Sequence, residues 1–252
     1  MKKQVHEYDM IYSLGMNCAC AEYLRKNNLR NKSGPLDWLV SDDIYAPFKT
    51  VLDEFKTFLD FSNLTKTSKG CETNITLMHK ANGYLLIHDF FTHSDIKEQM
   101  PSVHQKYSRR IERMLKDLNS NKRILFCWYG ETGIVLEKQT LLSYIQQIRA
   151  KYKANIDFLF ISYSNPSQLI NKEEPMQGVT MYNLPKERAS LKTEGFLFWD
   201  KENINKIISS LSLKNARPIS TKIRGVFYRV IAAFIFNRAK RHNFIDDKLR
   251  NN

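Results

Sequence analysis

The chain carries none of the short motifs that announce nucleotide, zinc or serine-hydrolase chemistry. There is no G-x-x-x-x-G-K-[ST], no G-x-G-x-x-G, no H-E-x-x-H and no G-x-S-x-G. Sequence grounds for a P-loop NTPase, a dinucleotide enzyme, a zincin or a serine α/β-hydrolase are therefore missing, and no cofactor is expected. Cysteine is scarce: four residues, at 18, 20, 71 and 127, form neither a C-x-x-C pair nor a zinc ladder. Free thiols in a reducing compartment fit them better than a disulfide framework. No run of about 18 apolar residues occurs, so no segment is expected to span a membrane. The opening MKKQVHEYDM has no apolar stretch behind its lysines, so no secretory leader is expected, and the expected location is cytoplasmic.

What is present suffices for one sizeable core. The 252 residues are 42% hydrophobic and 12% aromatic, which excludes a disordered chain. Buried strands are expected at Asp9–Leu14, Arg123–Tyr129 and Ile156–Tyr163, and a hairpin at Asn74–His79 and Gly83–His88 around Ala81-Asn82-Gly83. Short strands are expected at Val179–Leu184 and Phe196–Trp199. Helices are expected over Cys18–Asn28, capped by Asn17, and from Ser41-Asp42-Asp43 to about Phe58, with a break or second start at Pro47. Further helices are expected through Val103, Tyr107, Ile111, Met114 and Leu118, over Leu136–Lys151, and from about Lys201 to Leu211. The strand–helix–strand order from Arg123 to Tyr163 is what parallel pairing through a crossover requires. The expected fold is thus α/β or α+β: one domain over residues 1–212, with a mixed central sheet flanked by helices.

Residues 213–252 differ in character. Between Arg217 and Arg241 apolar residues recur every three or four positions. Around them stand Lys222, Arg224, Arg229, Arg238, Lys240 and Arg241, with no acid. Residues 201–252 hold 12 Lys/Arg against 3 Asp/Glu, most of the chain's formal +13. Such a basic amphipathic helix can dock on the domain by its apolar face, or lie at an anionic membrane surface such as the inner face of the cell membrane. The basic residues flank an apolar stripe rather than interleaved exposed aromatics, which argues against nucleic acid as the partner.

The chemistry-bearing candidates gather around IYSLGMNCAC, residues 11–20. A thiol attacks as thiolate, and a helix N-terminus favours the thiolate through its unpaired N–H groups and dipole. Cys18 stands at that position, while Cys20 lies roughly 200° further around the helix and faces elsewhere. Cys127, within a strand, reads as an inert core thiol, and Cys71 falls in an expected loop. His88, at the end of YLLIHDFF, is the candidate base. Asp37, inside the apolar turn PLDWL, and Asp89 are the candidate acids that orient it; Asn17 and the first helical N–H groups are candidate oxyanion donors. Arg109, Arg110 and Arg113 form a charged helix face that is either solvated or able to receive a phosphate. A buried, unreactive Cys18 remains the alternative, in which the chain is a non-catalytic adaptor for a membrane or a glycosyltransferase.

The block SLGMNC-x2-A-x2-LRKNNLRNKSGPLDWL, then YLLIHDF, KYSRRIERM and RILFCWY, resembles an uncharacterised bacterial family described as putative papain-like cysteine peptidases. The resemblance runs over roughly residues 10 to 165. It places the nucleophile at Cys18, the base at His88, and Asp37 and Asp89 on the two acidic positions of the pattern. It implies a peptidase, or a related thiol hydrolase or acyltransferase, acting on a peptide, glycan or other acyl substrate. The family's occurrence near surface-polysaccharide genes implies a role in that metabolism.

Overall fold

In the computed structural model, residues 5–41, 43–58, 60–132, 137–165, 170–185 and 200–216 are described. Contacts divide the chain into two units, Met1–Lys214 and Asn215–Asn252, and every described strand and helix belongs to the first. The expected strand at Phe196–Trp199 and the basic amphipathic segment, with Lys222, Arg224, Arg229, Arg238, Lys240 and Arg241, lie outside the described residues.

The centre is a five-stranded sheet made of β2 (Met10–Gly15), β7 (Arg123–Thr132), β8 (Asn155–Asn165), β9 (Asn171–Met176) and β10 (Val179–Pro185), in the order β2-β7-β8-β10-β9. All neighbours pair in parallel except β9, which runs antiparallel at the edge. The near-continuous apolar runs of β2, β7 and β8 reflect burial on both faces. The two-residue period splits them. Tyr12, Leu14, Phe126, Trp128, Phe158 and Phe160 face one apolar cluster, and Ile11, Leu125, Cys127, Tyr129, Leu159 and Ile161 face the other.

Helices cover both faces. On the second face lie α1 (Cys18–Lys26) and α5 (Lys201–Ile208), through Ala19, Cys20, Tyr23, Leu24, Ile204 and Ile207. On the first lie α2 (Ala46–Leu52), α3 (Ile96–Leu118) and α4 (Lys138–Lys151). The first face also packs a four-stranded antiparallel sheet, in the order β3 (Leu39–Val40), β6 (Leu85–Phe91), β5 (Asn74–His79) and β4 (Leu64–Cys71). A parallel ribbon of β1 (His6–Tyr8) and β11 (Leu211–Leu213) completes the unit. The result is a mixed α/β fold with its sheets flanked by five helices among the described residues. None of those helices is long and apolar enough to cross a membrane.

Three expectations are corrected. The second helix is short: Pro47 lies in its first turn, where a missing N–H is harmless, and it ends at Leu52 as Glu54 and Phe55 turn left-handed at φ 59° and 62°. Cys71 ends strand β4 rather than lying in a loop. The second hairpin strand runs on past His88 to Phe91. The hairpin turn itself forms as expected, with Gly83 N–H donating to His79 O at 2.8 Å.

Buried His79 stacks on Phe58, and its Nε2 lies 3.0 Å from the Thr57 carbonyl. A carbonyl only accepts, so Nε2 carries the proton of the neutral ring. Burial lowers the proton affinity of His79 in the fold. The unfolded chain, with an ordinary histidine near 6.5, therefore takes the proton first. The His79 contribution to stability is intact above about pH 6.5 and falls as the pH drops below it. Thermal melts should show a smaller loss between pH 7 and pH 5.5 in His79→Gln than in the wild type.

Candidate functional site

The turn that delivers Cys18 is strained before it is chemical. At the end of β2 the pairing shifts: Ser13 stands opposite Cys127 and Gly15 opposite Trp128, so β2 carries one extra residue. Gly15 takes φ 77°, and Met16 follows at φ 126°, a region that side chains rarely enter. Strain of this kind collects at functional turns and persists only when the surroundings hold it. Here the Ser13 Oγ accepts from the Gly15 N–H at 3.0 Å, and the Ser41 N–H donates to the Met16 carbonyl at 3.0 Å. Asn17 is the N-cap, its Oδ1 accepting from the Ala19 N–H at 2.9 Å. Its acceptor oxygen is thus engaged in opening α1, and Cys18 is the first helical residue.

The three cysteines whose side chains are described are buried and free of disulfides, yet they differ. Cys20 donates to the Cys127 carbonyl at 3.3 Å, and burial pushes its thiol up to about 12. Burial likewise holds the Cys127 thiol well above its ordinary range. Both belong to the apolar cluster under α1. Among the described residues, Cys18 alone of the three stands outside the two apolar clusters.

The loop from Ser33 to Ser41 links this turn to His88. The loop passes Gly15 at contact distance, since a Cβ there would sit 3.4 Å from the Leu36 carbonyl. Next to it, Asp37 is 1% exposed and accepts from Arg30 Nη1 at 2.7 Å and from the Gly34 N–H at 2.9 Å. Burial raises the proton affinity of Asp37, while Arg30, and Arg110 further off, oppose that shift. The Arg30 guanidinium in turn lies over the Trp38 ring, 5.4 Å from its centroid. Trp38 and His88 meet in a T-shaped contact, with ring centroids 5.9 Å apart and planes at 85°. A carboxylate, a guanidinium, an indole and an imidazole thus follow one another, with Asp37 and His88 at the two ends.

His88 is exposed because β6 bulges beneath it. Ile75 pairs with Phe90 and Leu77 with Leu86, so Ile87, His88 and Asp89 stand opposite Thr76 alone. The Asn74 side chain donates to the Ile87 carbonyl at 3.0 Å and closes the bulge. Asp89 turns inward. Lys106 donates to its Oδ1, and the Tyr107 hydroxyl donates to its Oδ2 at 2.8 Å. Of the α3 arginines, Arg113 donates to the Ser33 carbonyl at 3.2 Å and Arg110 lies 5.7 Å over the Tyr107 ring.

The structure therefore brings the strained turn of Cys18 and the bulge of His88 against one loop. It engages Asp37 with Arg30, and Asp89 with α3. Arg30, Trp38 and Met16 were not singled out from the sequence. The signal for Arg30 was present, since a carboxylate inside PLDWL demands a buried cation, and the nearest arginine upstream supplies it.

Compared with known proteins, residues 9–164 match the family model described as putative papain-like cysteine peptidase. An uncharacterised protein of Acanthamoeba polyphaga mimivirus is 26% identical over 133 residues, covering 46% of this chain and 60% of that protein. The chain thus spans about 60% of the length of this curated relative. No solved structure matches it.

The Asp37–Arg30 pair is buried enough for its loss to be felt. Removing either partner leaves the other charge unpaired, so Asp37→Ala and Arg30→Ala should each destabilise the fold by about 3–5 kcal/mol. The double variant should be less destabilised than the sum, as urea unfolding of all four proteins would show.

Proposed function

The chain belongs to the family of putative papain-like cysteine peptidases, and from that premise we propose that it is a thiol enzyme with Cys18 as nucleophile and His88 as base. The observation that carries this reading is the strained strand-to-helix turn. It sets Cys18 first in a capped helix, outside the apolar clusters, beside the loop whose Trp38 stands against His88. The helix N-terminus favours the thiolate, and His88 accepts the thiol proton and returns one to the leaving group. The first N–H groups of α1 and the Asn17 amide receive the developing oxyanion. Asp37 positions rather than pairs, since it holds Arg30 behind Trp38 and so fixes the surface on which His88 stands. Asp89 anchors the bulge to α3.

The substrate on this reading is an acyl group on a peptide, a glycan or a lipid-linked precursor, in surface-polysaccharide metabolism. The reaction is hydrolysis or acyl transfer. The basic residues from Lys222 to Arg241 would bring the enzyme to an anionic membrane face, which the uneven charge supports.

Iodoacetamide labelling mapped by mass spectrometry tests the reading. Cys18 should alkylate well below pH 8.5, while Cys20 and Cys127 stay unlabelled until the protein unfolds. His88→Ala should slow Cys18 labelling at neutral pH on the order of 10²-fold without changing the melting temperature. A Cys18 that resists labelling until unfolding would instead favour a non-catalytic adaptor.

A further inference from the structure

Lys106, Arg110 and Arg113 follow one another on α3 at spacings of four and three residues, which sets them along one face of the helix. Lys106 and its neighbour Tyr107 hold Asp89, the residue after His88. Arg113 donates to the Ser33 carbonyl, where the loop that carries Asp37 and Trp38 begins. Arg110 lies one turn from each of these anchors. Its guanidinium is half-buried over the Tyr107 ring, and among the described residues it makes no hydrogen bond or ion pair.

The acids around it are already taken. Asp37 is held by Arg30 and the Gly34 N–H, and Arg110 acts on it only from further off. Asp89 is held by Lys106 and Tyr107, and Asp117 by Tyr12 and Lys122. Glu112 is exposed and, two positions along the helix, does not face Arg110. On the other side of Asp37 stands Arg30, whose guanidinium lies over the Trp38 ring that meets His88. Arg30, Arg110 and Arg113 thus border one loop that carries a single carboxylate. That excess of positive charge matches a dianion, and a planar fork of donors fits two oxygens of a phosphate.

We propose that Arg110, flanked by Arg30 and Arg113, receives a phosphate group of the substrate beside the loop and bulge that present His88. That this phosphate belongs to the substrate rests on the reading of Cys18 and His88 as the reacting pair; the anion site itself does not. The substrate class is then a phosphorylated acyl compound, held at a point apart from the bond that breaks, so that binding orients it without touching the reacting atoms.

The test has two arms, both on the intact chain. In the first, inorganic phosphate at matched ionic strength should raise the melting temperature by about 2 °C, and acetate should not. Arg110→Gln, compared with its own melting temperature in the absence of phosphate, should abolish the rise. Arg110→Lys, which keeps the charge but loses the fork, should restore only part of it. No rise in the wild type, an equal rise with acetate, or a rise that survives in Arg110→Gln would each overturn the phosphate site. The last is what binding to the basic residues after Lys214 would give.

In the second arm, Cys18 is acylated by the 4-nitrophenyl esters of 4-phosphonobutanoate and of pentanoate, each releasing 4-nitrophenolate as the acyl group passes to sulfur. The phosphonate ester should react faster, and the ratio of the two rates should fall about tenfold in Arg110→Gln. An unchanged ratio would overturn the role of Arg110 toward the substrate. If neither ester acylates Cys18 while the phosphate rise still depends on Arg110, the nucleophile reading fails and the anion site stands.

Discussion

One buried carboxylate organises the surroundings of Cys18. Asp37 is almost fully removed from water, and an ionised carboxylate there requires a cation and further donors. Arg30 and the Gly34 N–H supply them, which fixes the loop from Ser33 to Ser41 in one conformation. From that loop the Ser41 N–H holds the Met16 carbonyl, Trp38 backs His88, and β3 pairs with β6. The parallel sheet that ends in Cys18 and the antiparallel sheet that carries His88 are thereby joined through a segment anchored on one ion pair.

The same device recurs along α3. Asp89 binds Lys106 and Tyr107; Asp117 accepts from Tyr12 at 2.6 Å and pairs with Lys122. Asp37, Asp89 and Asp117 thus each have one cation and one O–H or N–H donor. Such pairs add little net stability over apolar packing, but they are costly to misalign. Their effect is on register: α3 has one position in which its lysine and tyrosine meet the bulge of β6. The bulge that exposes His88 is in this sense set from behind by the helix.

How much of this could be read from the sequence follows from where each signal lies. Strands β2, β7 and β8 were legible because burial on both faces makes them near-continuous apolar runs. Helix α1 was legible because Asn17 is a good cap. Strands β4 (LTKTSKGC) and β9 (NKEEPM) were not, since they are polar edge strands, and β9 even carries a proline. The cost of burying Asp37 was visible, and with it the need for a nearby cation such as Arg30, but the contacts of Arg30 with Trp38 and of Trp38 with His88 were not, because only tertiary packing brings those groups together. The positive φ of Met16 and the bulge at His88 leave no compositional trace. The pairing of β1 with β11 joins segments too distant in sequence for any local pattern to announce.

That ribbon has a consequence for the time course of folding. β1 pairs with β11 across some two hundred residues, His6 opposite Leu211, and Lys214 closes the seam on Asp9 at 3.1 Å. Closing so long a loop is entropically slow, and during synthesis β1 has no partner until nearly the whole unit has emerged. The sheet that presents Cys18 can therefore assemble first, and the ribbon is added last. It marks the point in synthesis at which the folded unit becomes complete.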